Sequence, residues 1–300
     1  MVKIEKKFIK DKPFFYLTEQ INIGGYFKKI QVYIGKNIPK NLGPYYDGLR
    51  QKEIKLVNDN IKKIYAVDSR LPIEEYKKIE ALRARFKYAF LNLPKNKKEE
   101  FWREFAVMFI FESNAIEGSR LSRKEVAAII KKQYIKKGLN RKEIFEVNNS
   151  IKAFNLIRSG NFILNQRSII NLHEIITKGL GVSRGYKKEN IIVNNKETIS
   201  PAKVRKSMRD LLLRQSIQKK KKLHPLVSAA DFHASFEYIH PFSDGNGRTA
   251  RLLLNLLLVQ EGYPPLVIRP EDRADYLDSI EKYQLHEDAA DYQAFMLDRL

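Results

Sequence analysis

The chain has 300 residues, 43% of them apolar, and a formal net charge of +21, a length and composition that can bury a large core in one or two domains. It has no cysteine, which excludes a disulfide framework and a thiolate metal cluster. Its longest apolar stretch, Leu252 to Val259, is too short to span a bilayer, and the basic first residues lack a cleavable apolar run, so a cytoplasmic globular protein with no membrane partner is expected. Lysine and arginine crowd the N-terminal third and residues 120–142; such a field attracts polyanions, although lysines that merely solvate helix faces give the same composition.

From the N terminus, β-forming residues alternate around Gly24-Gly25 and predict a hairpin over about Phe14–Ile34. A helical period follows from Pro44 through Leu49, Ile54, Leu56 and Ile61, with a break near Asp68. A second helix through Ile79, Leu82, Phe86 and Phe90 stops at Leu93-Pro94. The domain boundary is expected there, giving an N-terminal hairpin and helical region over 1–95 and a second domain over 96–300. Helices are next predicted at about 97–116, 122–136, 141–158 and 166–178, with Gly118, Gly138 and Gly160 as C-terminal caps. The β-branched residues flanking Asn194-Asn195 predict a short hairpin over Asn190–Ile199, after which Ser200-Pro201 opens another helix. The last helices are expected at about 225–239, 247–261, 272–285 and 289–299, and Lys219–Lys222 reads as an exposed turn. The fold class is therefore mainly α.

The segment His240-Pro-Phe-Ser-Asp-Gly-Asn-Gly-Arg-Thr-Ala-Arg251 lies between two of these helices. Pro241 disfavours the α region at His240 and ends the first helix there. Gly245-Asn246-Gly247 suits a tight loop whose backbone N–H groups converge on an anion, with the positive end of the next helix facing the same space. Arg248 and Arg251 share one face of that helix's first turn, where the macrodipole disfavours cations. A single Asp244 cannot neutralise both, so the segment reads as a polyphosphate site in which Asp244 holds an accompanying Mg2+. His240, titrating near neutrality beside a bound phosphate, is suited to take a proton from an attacking hydroxyl. His173, His224 and His233 read as packing or capping residues and His286 as a surface residue.

His240 to Arg251 resembles the Fic-family signature H-P-F-x-D/E-G-N-G-R-x-x-R, complete at every fixed position. The resemblance runs from about Phe101 to Gln284 and implies a helical Fic fold with a β-hairpin flap. It further implies a protein adenylyltransferase that moves AMP from Mg-ATP to a Ser, Thr or Tyr hydroxyl of a protein target, itself included. His240 would be the catalytic base, Phe242 the loop's anchor and Asp244 the Mg2+ ligand; Gly245, Asn246, Gly247, Arg248 and Arg251 would hold the nucleotide's phosphates. Val193 belongs to the segment resembling the flap, which pairs with the target's main chain by strand addition. Tyr276, Leu277, Ile280 and Gln284 match the adenine pocket, where relatives often carry an aromatic at Leu277 and an asparagine at Gln284; another nucleotide or a phosphocholine-type donor stays open.

Upstream, Glu117 stands at the C-terminal end of the helix predicted over about 97–118, where the dipole repels a carboxylate and a cation from elsewhere is needed. Ser113-Asn-Ala-Ile-Glu117-Gly118 resembles the family's inhibitory motif S/T-x-x-x-E-G/N. The resemblance implies that Glu117 pairs with Arg251 where the γ-phosphate must bind, so the enzyme rests in an off state. Three alternatives stay open: removal of AMP from modified targets, transfer of another phosphate-containing group, and a basic nucleic-acid-binding regulator with a vestigial core. A homo-oligomer is also open.

Overall fold

The computed structural model describes residues 2–67, 71–132, 138–193, 196–284 and 289–299. The chain divides into two compact units: 1–99 with 219–224 and 262–264, and 100–218 with 225–261 and 265–300. Among the described residues no helix is long and apolar enough to cross a membrane.

The first unit opens with an antiparallel sheet in the order β1 (Lys3–Ile9), β2 (Lys12–Ile23), β3 (Tyr26–Gly35). The predicted hairpin is β2–β3. Its turn needs two consecutive left-handed residues, and Gly24 (φ 55°) and Gly25 (φ 79°) supply them. Strand β1 lies outside the sequence expectation, because its turn uses Lys10 and Asp11, both at positive φ, in place of glycine. Its lysines charge an edge strand, which opposes pairing with other chains.

Helices α1 (Gly43–Ile64) and α2 (Ile73–Asn92) back the sheet. Leu17, Ile21, Ile30, Ile34, Leu49 and Tyr88 form the apolar core. Beside it runs a buried polar chain. Arg83 donates to Glu53 at 2.6 Å and to Glu80 at 2.8 Å, and all three side chains are nearly solvent-free. Lys87 pairs with Glu53 at 2.8 Å and with Glu19 at 3.0 Å. The Tyr88 hydroxyl lies between the same two carboxylates, while Glu80 also accepts from Tyr65 at 3.0 Å, lies 3.2 Å from the His224 ring and accepts from Tyr263. Burial raises the Glu80 carboxyl, but Arg83 and the bonds from His224 and Tyr263 outweigh it and hold the group down to about 2.

The second unit is helical: α3 (Lys95–Ile116) enters it, followed by α4 (Arg123–Ile130), α5 (Arg141–Arg158) and α6 (Gln166–Ile176). Next come the two-stranded hairpin β4 (Ile192–Val193) and β5 (Lys196–Glu197), then α7 (Pro201–Lys220), α8 (Pro225–Ile239), α9 (Asn246–Gln260), α10 (Arg273–Gln284) and α11 (Ala289–Leu297). Helix α4 starts on a Ser122–Glu125 capping box and gives way to a turn at Lys131-Lys132, with Lys132 at φ 52°, short of the expected end near 136. The remainder of that expected helix, the break near Asp68, the Asn194-Asn195 turn and His286 lie outside the described residues. At the centre, α8 is buried along most of its length and packs on α9, α10 and α11, while α5 and α6 pack on α9. The α8–α9 junction, which carries the signature, is thus fixed on several sides.

Removing Arg83 would leave the buried Glu80 with only neutral and His224 donors and the buried Glu53 with Lys87 as its one cation among the described residues. Arg83→Met should therefore lower stability by about 3–5 kcal/mol, read by urea denaturation followed by circular dichroism. Because the Glu80 pKa is depressed, its contribution is fully present above the ordinary 4.5 and is lost as pH falls toward about 2. Hydrogen exchange of the β2 amides should accelerate across that window in the parent and lose this component in Glu80→Gln.

Candidate active site

The loop between α8 and α9 is built on its own side chains. Asn246, 2% exposed, accepts the Phe242 N–H at 2.9 Å and donates to the Phe242 carbonyl at 2.8 Å, so its amide closes the loop and only its backbone N–H is left to face a ligand. Phe242 is fully buried and stacks on His173 with ring centroids 3.7 Å apart. The His173 Nε2 lies 2.8 Å from the Asp244 carbonyl. His173 is thus a packing residue, and burial pushes its imidazole down to about 4. Gly245 sits at φ 76°, and a Cβ there would meet Thr177 at 2.9 Å. At Gly247 a Cβ would collide with the Glu117 carboxylate and lie 2.9 Å from the Arg251 guanidinium. Both glycines therefore have steric reasons beyond flexibility.

His240 sits just beyond α8 with φ 46°, in the left-handed region; Pro241 opposes a continued helix there, but the backbone does not take the extended conformation usual before a proline. Its N–H still donates to the Phe236 carbonyl at 3.0 Å. The imidazole does not titrate near neutrality: burial, then the Lys187 charge, bring it down to about 4, opposed by the Glu237 carbonyl and by Glu117 and Asp244. Lys187, 4% exposed, grips both sides of His240. Its N–H donates to the Pro241 carbonyl at 2.9 Å and its Nζ lies 3.4 Å from the Ile239 carbonyl. The same Nζ donates to Thr198 at 2.5 Å, and Thr198 closes the base of the β4–β5 hairpin on the Ile191 carbonyl. Nothing in the sequence period distinguishes Lys187 from its neighbouring lysines; only the fold selects it.

The two arginines of α9 are both buried and both partnered. Arg251 donates through Nε to Ser113 Oγ at 2.9 Å, and through Nη2 to the Ser113 carbonyl at 3.0 Å and to Glu117 at 2.7 Å. Its side chain is 3% exposed against 36% for Glu117. The repelled carboxylate at the end of α3 thus receives its cation from the start of α9. Burial alone would raise the Glu117 carboxyl, but Arg251 outweighs it and holds the group lowered. Arg248 lies 3.1 Å from Glu146 on α5 and 3.8 Å from Asp244. The sequence argument that Asp244 alone faces two guanidinium groups is therefore corrected: Glu146 and Glu117 arrive from other helices, a tertiary placement that helical spacing does not reveal. The Arg248 Nε is buried and has no hydrogen-bond partner among the described residues.

Asp244 has a half-exposed side chain, and its Oδ1 accepts the Gly245 N–H at 2.5 Å. Among the described residues no group of three or more His, Cys, Asp or Glu converges as a metal site. Near Arg251, burial raises the Glu237 carboxyl to about 7 against the arginine's pull; this half-buried residue was missed in the sequence because it stands between the aromatic residues Phe236 and Tyr238. Tyr276 is buried with its hydroxyl 3.1 Å from His233, which puts it in the α8–α10 core, while Leu277 is half-buried. Val193 is half-buried in β4 and pairs with Lys196. The Gln284 side chain lies outside the described residues.

The description "Fic/DOC family" matches residues 163–258. The chain is 35% identical over 179 residues to the protein adenylyltransferase Fic of Nematostella vectensis, a match covering 56% of this chain and 40% of that protein. It is 31% identical over 187 residues to the protein adenylyltransferase fic-1 of Caenorhabditis elegans, covering 59% and 36%. The chain thus spans about two fifths of the length of these curated relatives. Among solved structures, a Fic family protein from Desulfovibrio desulfuricans superposes with a TM-score of 0.66 at 26% identity, over 78% of this chain and 72% of that one. A Fic domain containing signaling protein from Bacteroides thetaiotaomicron gives 0.66 at 22% identity, over 74% and 91%. With the complete signature on the α8–α9 loop, these matches mean that the chain has the Fic fold and carries a Fic/DOC-family domain around residues 163–258.

Proposed function

We propose that the protein transfers AMP from Mg-ATP to a hydroxyl of a protein target and that it rests in an off state held by Glu117. The observation that carries this reading is the Arg251–Glu117 bond at 2.7 Å at the start of α9, directly beyond a complete signature loop. The adenylyltransferase names of the curated relatives support the chemistry.

In the proposed reaction the hydroxyl oxygen attacks the α-phosphorus, the bond from that phosphorus to the bridging oxygen breaks, and pyrophosphate leaves with the electron pair. The hydroxyl proton passes to His240. With its pKa near 4 the imidazole is neutral at pH 7 and so can accept a proton. The Glu237 carbonyl engages its ring, fixing one nitrogen as donor and leaving the other as acceptor. The N–H groups around Gly245 to Gly247 and the start of α9 would hold phosphate oxygens. Mg2+ arrives with ATP as part of the substrate; Asp244, with one oxygen anchored on Gly245 and its side chain open to solvent, suits the single carboxylate that a phosphate-bound Mg2+ takes. Arg251 would meet the γ-phosphate once Glu117 lets go. Leu277 and the half-buried Val193 are proposed to flank the base, the latter on the flap. Tyr276, with its hydroxyl on His233, would act as a wall behind them.

Two substitutions separate chemistry from restraint. His240→Ala should retain Mg-ATP binding by calorimetry while transfer of labelled AMP falls by about 10²–10⁴; transfer at the parent rate would remove His240 from the mechanism. Glu117→Gly should raise transfer and self-modification roughly tenfold to a hundredfold, with partial exposure of Glu117 favouring the lower end. Arg251→Ala should show no such rise, and the double variant should behave as Arg251→Ala alone. An unchanged rate in folded Glu117→Gly at saturating ATP would dismiss the restraint.

A further inference from the structure

Between the start of α6 and the start of α7 runs an open groove of about 610 Å³. It is lined by Gln166, Arg167, Ile170, Ala202, Arg205, Lys206 and Arg209, and among the described residues no carboxylate lines it. Among the described residues, Arg167, Arg205 and Lys206 have no carboxylate partner, and the acid nearest Arg209 is its chain neighbour Asp210 at 3.8 Å. Arg205 and Arg209 stand one helical turn apart, an i,i+4 pair of like charges that destabilises a helix unless something anionic lies across it. The groove's four cationic side chains are exposed, whereas the buried Arg248 and Arg251 of this unit each have a glutamate brought to them from another helix. The groove's cations are left for an external anion.

We propose that this groove binds an acidic, extended segment of the protein that is modified. The assignment rests on the AMP-transfer reading and names the class of its partner. Two observations favour a peptide over a compact anion. The rise between Arg205 and Arg209 is about 6 Å, close to the roughly 6.6 Å between alternate residues of a strand, so Asp or Glu at every second position of an extended chain would meet successive arginines. A chain of side-chain contacts also links the groove to the signature loop. The groove's Gln166 accepts the Tyr186 hydroxyl at 3.0 Å, the Tyr186 ring lies 5.8 Å from Phe242 of the signature loop, and α7 begins four residues after the flap strand β5 ends. A target strand paired with the flap would run within reach of the groove, with its acidic residues a few positions from the hydroxyl.

The test is binding to the nucleotide-free full chain, so that it can fail while AMP transfer stands, and the reverse. The probe is a fluorescein-labelled peptide of about ten residues with one Thr and Asp or Glu at alternate positions, compared with its Asn/Gln counterpart by anisotropy at ~0.15 M salt. The acidic peptide should bind at least about tenfold more tightly. Arg205→Glu combined with Arg209→Glu should remove that preference, whereas Lys36→Glu combined with Lys40→Glu, the same charge change at exposed positions of the first unit, should preserve it. Equal weakening by both pairs would mean a response to net charge alone and would overturn the proposal. So would equal affinity for both peptides, or displacement of the acidic peptide by a single-stranded oligonucleotide at lower concentration than by unlabelled peptide.

Discussion

The Arg251 guanidinium is the group around which the second unit's polar interior is organised. It is 3% exposed at the start of a helix, where both burial and the macrodipole oppose a cation. Glu117 has the mirror-image problem at the end of α3. Each charge stands at the wrong helix terminus by itself, and together they satisfy one another, with Ser113 supplying a hydroxyl to Nε–H and a carbonyl to Nη2–H. The same contact demands Gly247, because any side chain there would enter the space between the two charged groups. The helix ends are thereby tied in a way that a phosphate competing for Arg251 must undo.

His240 depends on a different constraint. Its left-handed backbone is unfavourable for a side-chain-bearing residue, and the surroundings hold it: Asn246 closes the loop below, Phe242 fills the core against His173, and Lys187 binds the carbonyls on both sides. Lys187 also lowers the basicity of the imidazole it positions. A base that is neutral over the whole physiological range is the result. Bound phosphate would raise its proton affinity at the moment of reaction. Because Lys187 also holds Thr198 at the hairpin's base, the β4–β5 hairpin and the signature loop share one anchor.

Much of this was legible in the residues. The signature segment could be read as an anion-binding loop because Pro241, the two glycines and the first-turn arginines each constrain backbone or charge locally, and the resemblance of 113–118 to an inhibitory motif pointed at Glu117. What escaped was whatever depends on elements distant in sequence. Glu146 and Lys187 look like solvated charges on their own segments, Glu237 hides among apolar neighbours, and Asn246 looks like a ligand donor although its amide is engaged by Phe242. Strand β1 was missed because a Lys-Asp turn carries no glycine signal, and the expected helix at 122–136 gives way early at Lys131-Lys132 because periodicity does not fix a helix's end. The expectation that two arginines outnumber their acids failed for the same reason: a local count omits carboxylates delivered by the fold.

The central claim is that Glu117 holds the contact the γ-phosphate needs, and the ratio of ADP to ATP dissociation constants measures that contact most directly. In the parent protein the two nucleotides, each with Mg2+, should bind with nearly equal affinity by calorimetry, because the extra phosphate finds Arg251 occupied. In Glu117→Gly the ratio should move by about tenfold in favour of ATP. A preference for ATP that is already as large in the parent as in the variant would contradict the account.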